Sequence, residues 1–301
     1  MAKLVHLDFS RLPTEKPNPR SLAIDSLTIE ETIRLMNEED GLLSQAVRKE
    51  SPGIAQAVRC IVQSFKSGGR IFFVGAGTSG RLGVLESAEL PPTFGTPPAL
   101  AQAIMAGGKK AVFRSQEGAE DDAEKARAEI RRKVRRGDVV VGIAASGVTP
   151  FAQSAMETAK HLGAKTIFVT CNMVNPQTKY ADIMIAPHVG PEIITGSTRL
   201  KAGTATKMVL NMLTTISMVQ IGKVFGNRMV DLEPRSRKLR ERGIRLVQEL
   251  TGLPRPKAER AFRKARGQAK TAIVMARKNL SFSEAKKWLE ACQGFLRSAL
   301  K

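Results

Sequence analysis

Five short apolar segments alternate with longer segments of mixed polarity through the middle of the chain. The apolar segments are Arg70–Val74, Ala99–Met105, Val139–Ala144, Thr166–Thr170 and Ile183–Ile185. Each is rich in Val, Ile, Phe or Ala and almost free of charge, which is typical of strands buried on both faces. Because amphipathic segments of helical length lie between them, for example 119–136 and 150–162, the pattern predicts an α/β fold with helices on both sides of a parallel sheet.

Helical patterns also precede and follow the predicted sheet. Residues 28–47 and 54–66 have helical periodicity before the first strand, and 204–224 form a long apolar helical segment after the last one. From about Pro254 the chain consists of short basic segments without a strand candidate. We therefore expect an α/β domain over 1–250, including the N-terminal helices, and a small all-helical domain over 251–301.

The composition is that of an ordinary globular protein, with 301 residues, 42% of them apolar and 25% charged. No run of about 18 apolar residues predicts a membrane span, and the N-terminus lacks the apolar segment of a secretion signal. Cys60, Cys171 and Cys292 are odd in number and far apart, so they form neither a disulfide framework nor a Cys-x-x-Cys site. We expect a cytoplasmic protein.

The formal net charge is +20, and much of it lies near the C-terminus. Between Arg228 and Lys301 there are 20 Lys/Arg residues and 7 Asp/Glu residues, a net charge of +13. Such a surface attracts anionic partners, but solvated helix faces and cations at helix C-termini produce the same composition. One Trp and one Tyr leave little for stacking on bases, and no helix-turn-helix is recognisable, so nucleic acid is not expected as a partner.

A glycine-rich loop follows the first predicted strand. The segment Gly75-Ala76-Gly77-Thr78-Ser79-Gly80-Arg81 leads from a buried strand into a helix. Glycines permit the tight turn, and the amides at a helix start bind anions, so the loop is a candidate phosphate site. It meets neither the dinucleotide-binding fingerprint, which also needs a later acidic residue, nor the Walker loop, which ends in Gly-Lys-Ser/Thr.

Two further clusters of hydroxyl residues occur near strand or helix ends. Ala145-Ser146-Gly147-Val148-Thr149-Pro150 follows the third strand, and Thr195–Thr204 precedes the long apolar helix. Each could be only a helix cap or a turn. The carboxyl ends of parallel strands, however, are where open α/β sheets bind ligands. Three such clusters together favour a hydroxyl-rich phosphorylated ligand.

Acidic residues near these loops are candidates for proton transfer. They lie in Glu86–Pro92 and in Glu117–Asp122. Two carboxylates can divide general acid and general base work, although acidic residues at helix starts also stabilise the helix dipole. His6, His161 and His188 are far apart and match no metal motif, so neither a metal nor another cofactor is expected.

Taken together, these motifs resemble the sugar-isomerase (SIS) domain of N-acetylmuramic acid 6-phosphate etherases. The resemblance runs through Gly75–Gly95, Glu117–Asp122, Val141–Pro150, Gly190–Leu213 and Gly222–Asp231, and covers nearly the whole chain. The run Gly-Ser-Thr-Arg-Leu-Lys-Ala-Gly-Thr is its most specific part. The glucokinase regulatory protein has related motifs but is about twice as long. The resemblance implies a flavodoxin-like SIS sheet and a UBA-like C-terminal domain.

The resemblance also implies an activity: cleavage of the D-lactyl ether of N-acetylmuramic acid 6-phosphate during recycling of cell-wall sugars, without a cofactor. By motif, Glu89 corresponds to the family's proton donor, and Glu120 to a second catalytic glutamate that we take as the C2 base. Substrate and phosphate contacts carry over to the following residues: Gly77, Thr78, Ser79, Ser146, Gly147, Thr149, Ser197, Thr198 and Lys201. A homodimer with the site near the subunit interface is expected.

Some positions depart from the family pattern. Glu86 replaces Asp, Leu90 replaces Cys, Val148 replaces an Arg, and Arg235-Ser236 replace Thr-Asn. The loss of an arginine at position 148 could weaken an anion contact, which Arg235 or Arg237 could restore. These changes leave two alternatives to the etherase open, a non-catalytic phosphosugar-sensing regulator and a phosphosugar isomerase.

Overall fold

The computed structural model describes residues 12–172, 179–234 and 236–301. Over these residues it contains a five-stranded sheet in the order β2-β1-β3-β4-β5. The strands are β1 (Ile71–Gly75), β2 (Ala101–Met105), β3 (Val139–Ile143), β4 (Lys165–Val169) and β5 (Ile183–Ile185). The α/β prediction is confirmed, and each predicted strand lies within two residues of its observed position. All residues of β1 and β3 are buried, as their uninterrupted apolar sequences predicted.

The parallel register brings several loops to one edge of the sheet. Gly75 pairs with Ile143, and Ile143 in turn pairs with Val169, so β1, β3 and β4 end at the same level. In the order 2-1-3-4-5 the chain changes direction across the sheet between β1 and β3. In open α/β folds, the loops on the two sides of such a switch point are where ligands bind.

Helices flank the sheet along the chain. Their bounds are α1 (Ile29–Gly41), α2 (Leu43–Lys49), α3 (Ser51–Lys66), α4 (Gly77–Phe94), α5 (Lys109–Phe113), α6 (Ala123–Lys133), α7 (Pro150–His161) and α8 (Lys201–Gln220). The predicted helix over 28–47 is two helices, the first of which begins at a capping box formed by Thr28 and Glu31. The predicted helix over 119–136 begins later, because the Asp122 side chain accepts a hydrogen bond from the Lys125 amide and caps α6.

The apolar faces of α6 and α7 form a core with the central strands. Its larger side chains are Phe72, Ile130, Phe151, Met156 and Phe168. Burial of a side chain of this size contributes roughly 1.5–3 kcal/mol relative to leaving it exposed. The core therefore holds β1 and β3 rigidly, and the loops at their carboxyl ends start from fixed positions.

The contacts divide the chain into two compact units. One comprises the chain up to Glu86 together with Gln102–Leu213, and the other comprises Ser87–Ala101 together with Thr214–Lys301. The divisions fall within α4, β2 and α8, and α9 (Arg237–Thr251) groups with the C-terminal helices. Its Ile244 and Val247 belong to the apolar core of these helices.

The second unit contains a short hairpin and the C-terminal helices. The hairpin is β6 (Val224–Phe225) with β7 (Arg228–Met229), and α9 is followed by α10 (Arg255–Lys264), α11 (Ala269–Lys278), α12 (Phe282–Ala291) and α13 (Leu296–Ala299). Lys270 is buried here: its Nζ donates to Asp231 at 2.5 Å and to the main-chain oxygens of Gly222 and Gly294 at 2.8 and 2.9 Å. Burial lowers the pKa of Lys270, against the opposing effect of Asp231.

The all-helical tail predicted from Pro254 onward is confirmed. The hairpin was not predicted, because strands of two residues carry no periodicity. Among the helices that the structure describes, none has the length and apolar character needed to cross a bilayer.

Candidate functional site

The first hydroxyl cluster forms the start of α4. Gly75 ends β1 and Gly77 begins the helix, so Thr78 and Ser79 lie in its first turn, both half-buried. Gly80 packs so closely on β1 that a Cβ there would lie 2.6 Å from the Gly75 main-chain oxygen. Only glycine permits this approach, which sets the first turn of α4 directly over the end of the strand. Main-chain amides and two hydroxyls thus meet at a helix N-terminus, which favours an anion.

The second cluster follows β3. Asn172 donates from Nδ2 to the Ser146 main-chain oxygen at 2.9 Å, and Gln153 donates to the Gly147 oxygen at 2.8 Å. Gly147 has a φ of 77°, a left-handed conformation that favours glycine. Thr149 is the N-cap of α7, yet its side chain makes no capping hydrogen bond. The capping explanation for this threonine is therefore not supported, and its hydroxyl can serve another partner.

The third cluster immediately precedes α8 and lies beside the first. A Cβ at Gly203 would lie 3.5 Å from Thr78 Cγ2. Cys171 connects it to the second cluster, since its amide donates to Ala145 at 2.9 Å and its thiol contacts the Ala202 oxygen at 3.9 Å. The three loops that are far apart in sequence thus meet at one edge of the sheet.

A buried carboxylate already occupies the N-terminus of α8. Glu192 accepts the Lys201 amide at 2.8 Å on one oxygen and the Ala202 amide at 2.9 Å on the other. Burial raises the pKa of Glu192, and these two hydrogen bonds oppose the rise. The Lys201 and Ala202 amides are therefore already hydrogen-bonded, and a role of Ser197 and Thr198 in ligand binding stays a prediction.

Lys201 does not point into an open site. Its side chain is only 2% exposed, and Nζ donates to Glu39 at 2.5 Å and to the Pro191 main-chain oxygen at 3.1 Å. Burial alone would raise the pKa of Glu39, but hydrogen bonds from Lys201 and Asn18 outweigh it and lower the pKa. The predicted phosphate contact of Lys201 therefore has no support in this arrangement, because its ammonium is committed to an internal ion pair.

A cavity of about 220 Å³ opens beside the first cluster. Gly77 and Arg81 of α4 line one side of it, and the segment from Ser115 to Glu120 lines the other. Glu120 lies in a single 3₁₀ turn, Ala119–Asp121, and its side chain is exposed. The structure thus brings the predicted base Glu120 and the predicted phosphate loop to the same cavity.

Glu89 lies further along α4 and is exposed. Ser79 and Glu89 belong to one continuous helix, Gly77–Phe94. Ten residues of α-helix rise about 15 Å. The assignment of Glu89 as a proton donor rests on its motif and stays a prediction.

In the described ranges, no group of three or more His, Cys, Asp or Glu side chains is arranged so that it could hold a metal ion.

Comparison with known proteins identifies the family to which the chain is similar. Residues 53–160 match the glucokinase regulatory protein N-terminal SIS domain, and residues 118–216 match the SIS domain. The chain is 52% identical over 268 residues to a protein of Symbiobacterium thermophilum named N-acetylmuramic acid 6-phosphate etherase, covering 89% of each chain. It is 47% identical to the protein of that name from Geobacillus thermodenitrificans, covering 96% of this chain and 99% of the relative.

The chain belongs to the N-acetylmuramic acid 6-phosphate etherase family. Among solved structures, a phosphoheptose isomerase from Francisella tularensis has the same sheet architecture. It superposes with a TM-score of 0.50 at 20% identity, covering 64% of this chain and all of that one. At this identity the likeness concerns the fold alone.

The departures from the etherase family pattern have different surroundings. Val148 is half-buried beside Ser146, whose hydroxyl accepts the Val148 amide at 3.4 Å. Glu86 and Leu90 are buried on α4. Ser236 caps α9 by accepting the Leu239 amide at 3.2 Å, whereas Arg235 lies outside the described residues. The proposed compensation by Arg235 or Arg237 stays a prediction.

Two buried acidic residues beside the third cluster were not singled out from the sequence. Glu192 stands nine residues before the helix start that it caps, and Glu39 lies 162 residues from its partner Lys201. The sequence does not distinguish a buried glutamate from an exposed one, so the burial of Glu39 could not be predicted from it. For Glu192, the sequence Gly190-Pro191-Glu192 shortly before helix α8 was the feature from which a capping role could have been predicted.

Proposed function

We propose that this protein cleaves the D-lactyl ether of N-acetylmuramic acid 6-phosphate, giving N-acetylglucosamine 6-phosphate and D-lactate, as a step in recycling cell-wall sugars. The observation that carries the proposal is that three hydroxyl clusters meet at one edge of the sheet, where Gly77 of the first cluster lines a cavity together with Glu120. The names of the full-length relatives support the choice of substrate.

Phosphate binding falls to the loops at the carboxyl edge of the sheet. Thr78 and Ser79 supply hydroxyls at the N-terminus of α4, where the amides add a favourable field for an anion. The Gly77 main chain borders the cavity, and Ser146, Thr149, Ser197 and Thr198 supply the remaining hydroxyls toward the phosphate and the sugar. Anchoring a phosphate remote from the reacting carbons lets binding energy orient those carbons.

The reaction follows from the chemistry of the open-chain sugar. With the ring open, C2 lies next to the C1 aldehyde, which makes the C2 proton acidic. A base removes this proton, the C3–O bond breaks, and lactate leaves with a proton from an acid, because an alkoxide is a poor leaving group. Water then adds across the resulting double bond, with its hydroxyl at C3 and a proton at C2. The sequence transfers protons, releases lactate and adds water, with no net oxidation or reduction.

Two glutamates are assigned to the proton transfers. Glu120 is the C2 base, which its place in the cavity next to Gly77 supports. Glu89 is the acid that protonates the departing lactate, an assignment that rests on its motif. A positioned acid or base typically contributes about 10²–10⁴-fold to the rate.

We further propose a homodimer in which Glu89 acts on the substrate of the neighbouring subunit. The rise of about 15 Å between Ser79 and Glu89 supports this arrangement. A cytoplasmic location is proposed as well, since a phosphorylated sugar is both the substrate and the product.

The proposal is tested by incubating the protein with N-acetylmuramic acid 6-phosphate and measuring free D-lactate. We expect release by the wild-type protein and a loss of at least about 10²-fold in Glu120→Gln. Glu124→Gln is the matched control, because Glu124 is an exposed residue of α6 that pairs with Arg127. Binding of the substrate without D-lactate release would instead identify a sensor and overturn the proposal.

Isotopes separate elimination from other routes. In ¹⁸O-labelled water the label should enter the sugar at C3 and not the lactate, and in deuterated water the product should carry deuterium at C2. Label in lactate, or a product without deuterium at C2, contradicts the mechanism.

A further inference from the structure

We infer that Glu39 is a positioning residue, whose buried pair with Lys201 holds the Ser197–Thr198 loop in its substrate-binding position. The inference rests on the proposed function only for the identity of the ligand that the loop binds. How the loop is held follows from contacts among residues that precede the sheet and residues that precede α8.

The N-terminal segment makes hydrogen bonds to the residues that lead into this loop, from Pro191 to Gly196. The Gly196 amide donates to the Thr14 main-chain oxygen at 3.0 Å, immediately before Ser197. The Ser21 hydroxyl donates to the Ile193 oxygen at 2.7 Å. Asn18 donates from Nδ2 to the Pro191 oxygen at 3.3 Å. A segment whose regular structure consists of short 3₁₀ helices therefore supports the third hydroxyl cluster.

The Glu39–Lys201 pair closes this support from inside. Glu39 lies in α1 and is 3% exposed, while Lys201 is the first residue of α8. The ammonium of Lys201 bridges the Glu39 carboxylate and the Pro191 oxygen, so one cation ties α1 to the start of the loop and to the start of α8 at once. Asn18 donates to the same Glu39 oxygen as Lys201, at 3.0 Å.

The charges around the pair are balanced by nearby groups. Arg20 lies at the edge of the network, with its side chain 47% exposed, and donates to the other Glu39 oxygen at 2.9 Å. Glu192 faces the same helix start as a second buried carboxylate. Loss of the Glu39 charge leaves the ammonium with carbonyl oxygen and a more distant carboxylate, and a buried ion without its partner is strongly disfavoured. The loop then shifts to let water reach the ammonium, and its hydroxyls move with it.

The test uses the paired variant Glu39→Gln/Lys201→Met, in which the loop loses the ion pair and the hydrogen bond to the Pro191 oxygen without an unpaired Lys201 ammonium being left behind. Glu38→Gln is the control, because Glu38 is the neighbouring glutamate of α1 and pairs with Arg20 at the surface. In native-state hydrogen exchange, we expect the amides of peptide 193–204 to exchange at least about tenfold faster in the paired variant, with β3 unchanged. Unchanged exchange in 193–204 overturns the inference, whatever the activity of the protein.

Kinetics supply the second measurement. We expect the KM for N-acetylmuramic acid 6-phosphate to rise about tenfold in the paired variant with kcat within about threefold, since displaced binding hydroxyls weaken binding more than chemistry. A protein that is merely destabilised loses active molecules, and hence kcat, at an unchanged KM. An unchanged KM in an active paired variant contradicts the inference. If the wild-type protein releases no D-lactate, the proposed function is wrong, and the hydrogen-exchange result alone decides the inference.

Discussion

Arg81 of α4 donates a hydrogen bond from Nε to the main-chain oxygen of Val112 in α5, at 2.9 Å. Its terminal nitrogen donates to the neighbouring Ala111 oxygen, also at 2.9 Å. These carbonyls belong to the helix that leads into the segment carrying Glu120. The guanidinium therefore ties α4 to α5 on one side of the cavity that Glu120 also lines.

Replacing Arg81 by Lys should lower kcat for D-lactate release by about 10- to 100-fold, because a single ammonium cannot reproduce two spaced N–H donors and small displacements of a catalytic group are costly. The control is Arg114→Lys, on the exposed segment between α5 and Glu120. Steady-state kinetics on both variants measure the effect. Equal losses in the two variants would show that the effect does not depend on the Arg81 hydrogen bonds.

Subunit complementation tests the placement of Glu89. If Glu89 serves the neighbouring subunit, a Glu89→Gln chain and a Ser79→Ala chain form one heterodimer site with both residues intact. Mixed heterodimers, purified with two different tags, should recover part of the D-lactate release that each homodimer lacks. Heterodimers as inactive as the two homodimers would show that both residues act within one chain.

The Glu39–Lys201 pair predicts an acid-dependent stability. The pKa of Glu39 is lowered in the folded protein from 4.5, so its contribution is complete above about pH 4.5 and is lost as the pH falls through the lower folded value. The burial-raised pKa of Glu192 acts in the opposite direction, and removal of the Lys201 charge strengthens that effect. Both effects make Glu39→Gln/Lys201→Met less sensitive to acid than the wild type.

Urea unfolding between pH 7 and pH 3 measures this difference. We expect the wild type to lose more of its free energy of unfolding below pH 4.5 than the paired variant, by at most about 1.4 kcal/mol per pH unit for each proton. Glu38→Gln should follow the wild-type curve. Parallel curves for wild type and paired variant would show that Glu39 does not carry the effect.

Cys171 should resist alkylation in the folded protein. Its side chain is 2% exposed, and burial, with a smaller contribution from Glu192, raises the pKa of its thiol to about 12. At pH 8 only about one thiol in 10⁴ is then ionised, and the thiolate is the reactive form. Peptide mass spectrometry after iodoacetamide treatment should show modification of half-buried Cys292 well before Cys171. Similar rates for the two, without urea, would contradict the burial of Cys171.

The sequence by itself determined the central sheet and the existence of the three hydroxyl clusters. Strands such as Val139–Ile143 are recognisable because a strand buried on both faces needs an uninterrupted run of apolar side chains. The parallel arrangement then follows from the helices between strands, and it predicts that the loops after β1 and β3 share an edge. The ends of helices were harder to predict from the sequence, since local caps such as Asp122 decide where a helix begins.

Only the tertiary structure decided which charged residues face a ligand and which are internal. Lys201 stands in a hydroxyl-rich motif and suggests an anion contact, yet its ammonium turns inward to Glu39, which lies in a helix before the sheet. The same folding placed Glu120 at the cavity that Gly77 and Arg81 line. The physical reason is that an ion pair depends on distance in space and on shared burial, and for residues 162 positions apart neither is encoded in the local pattern.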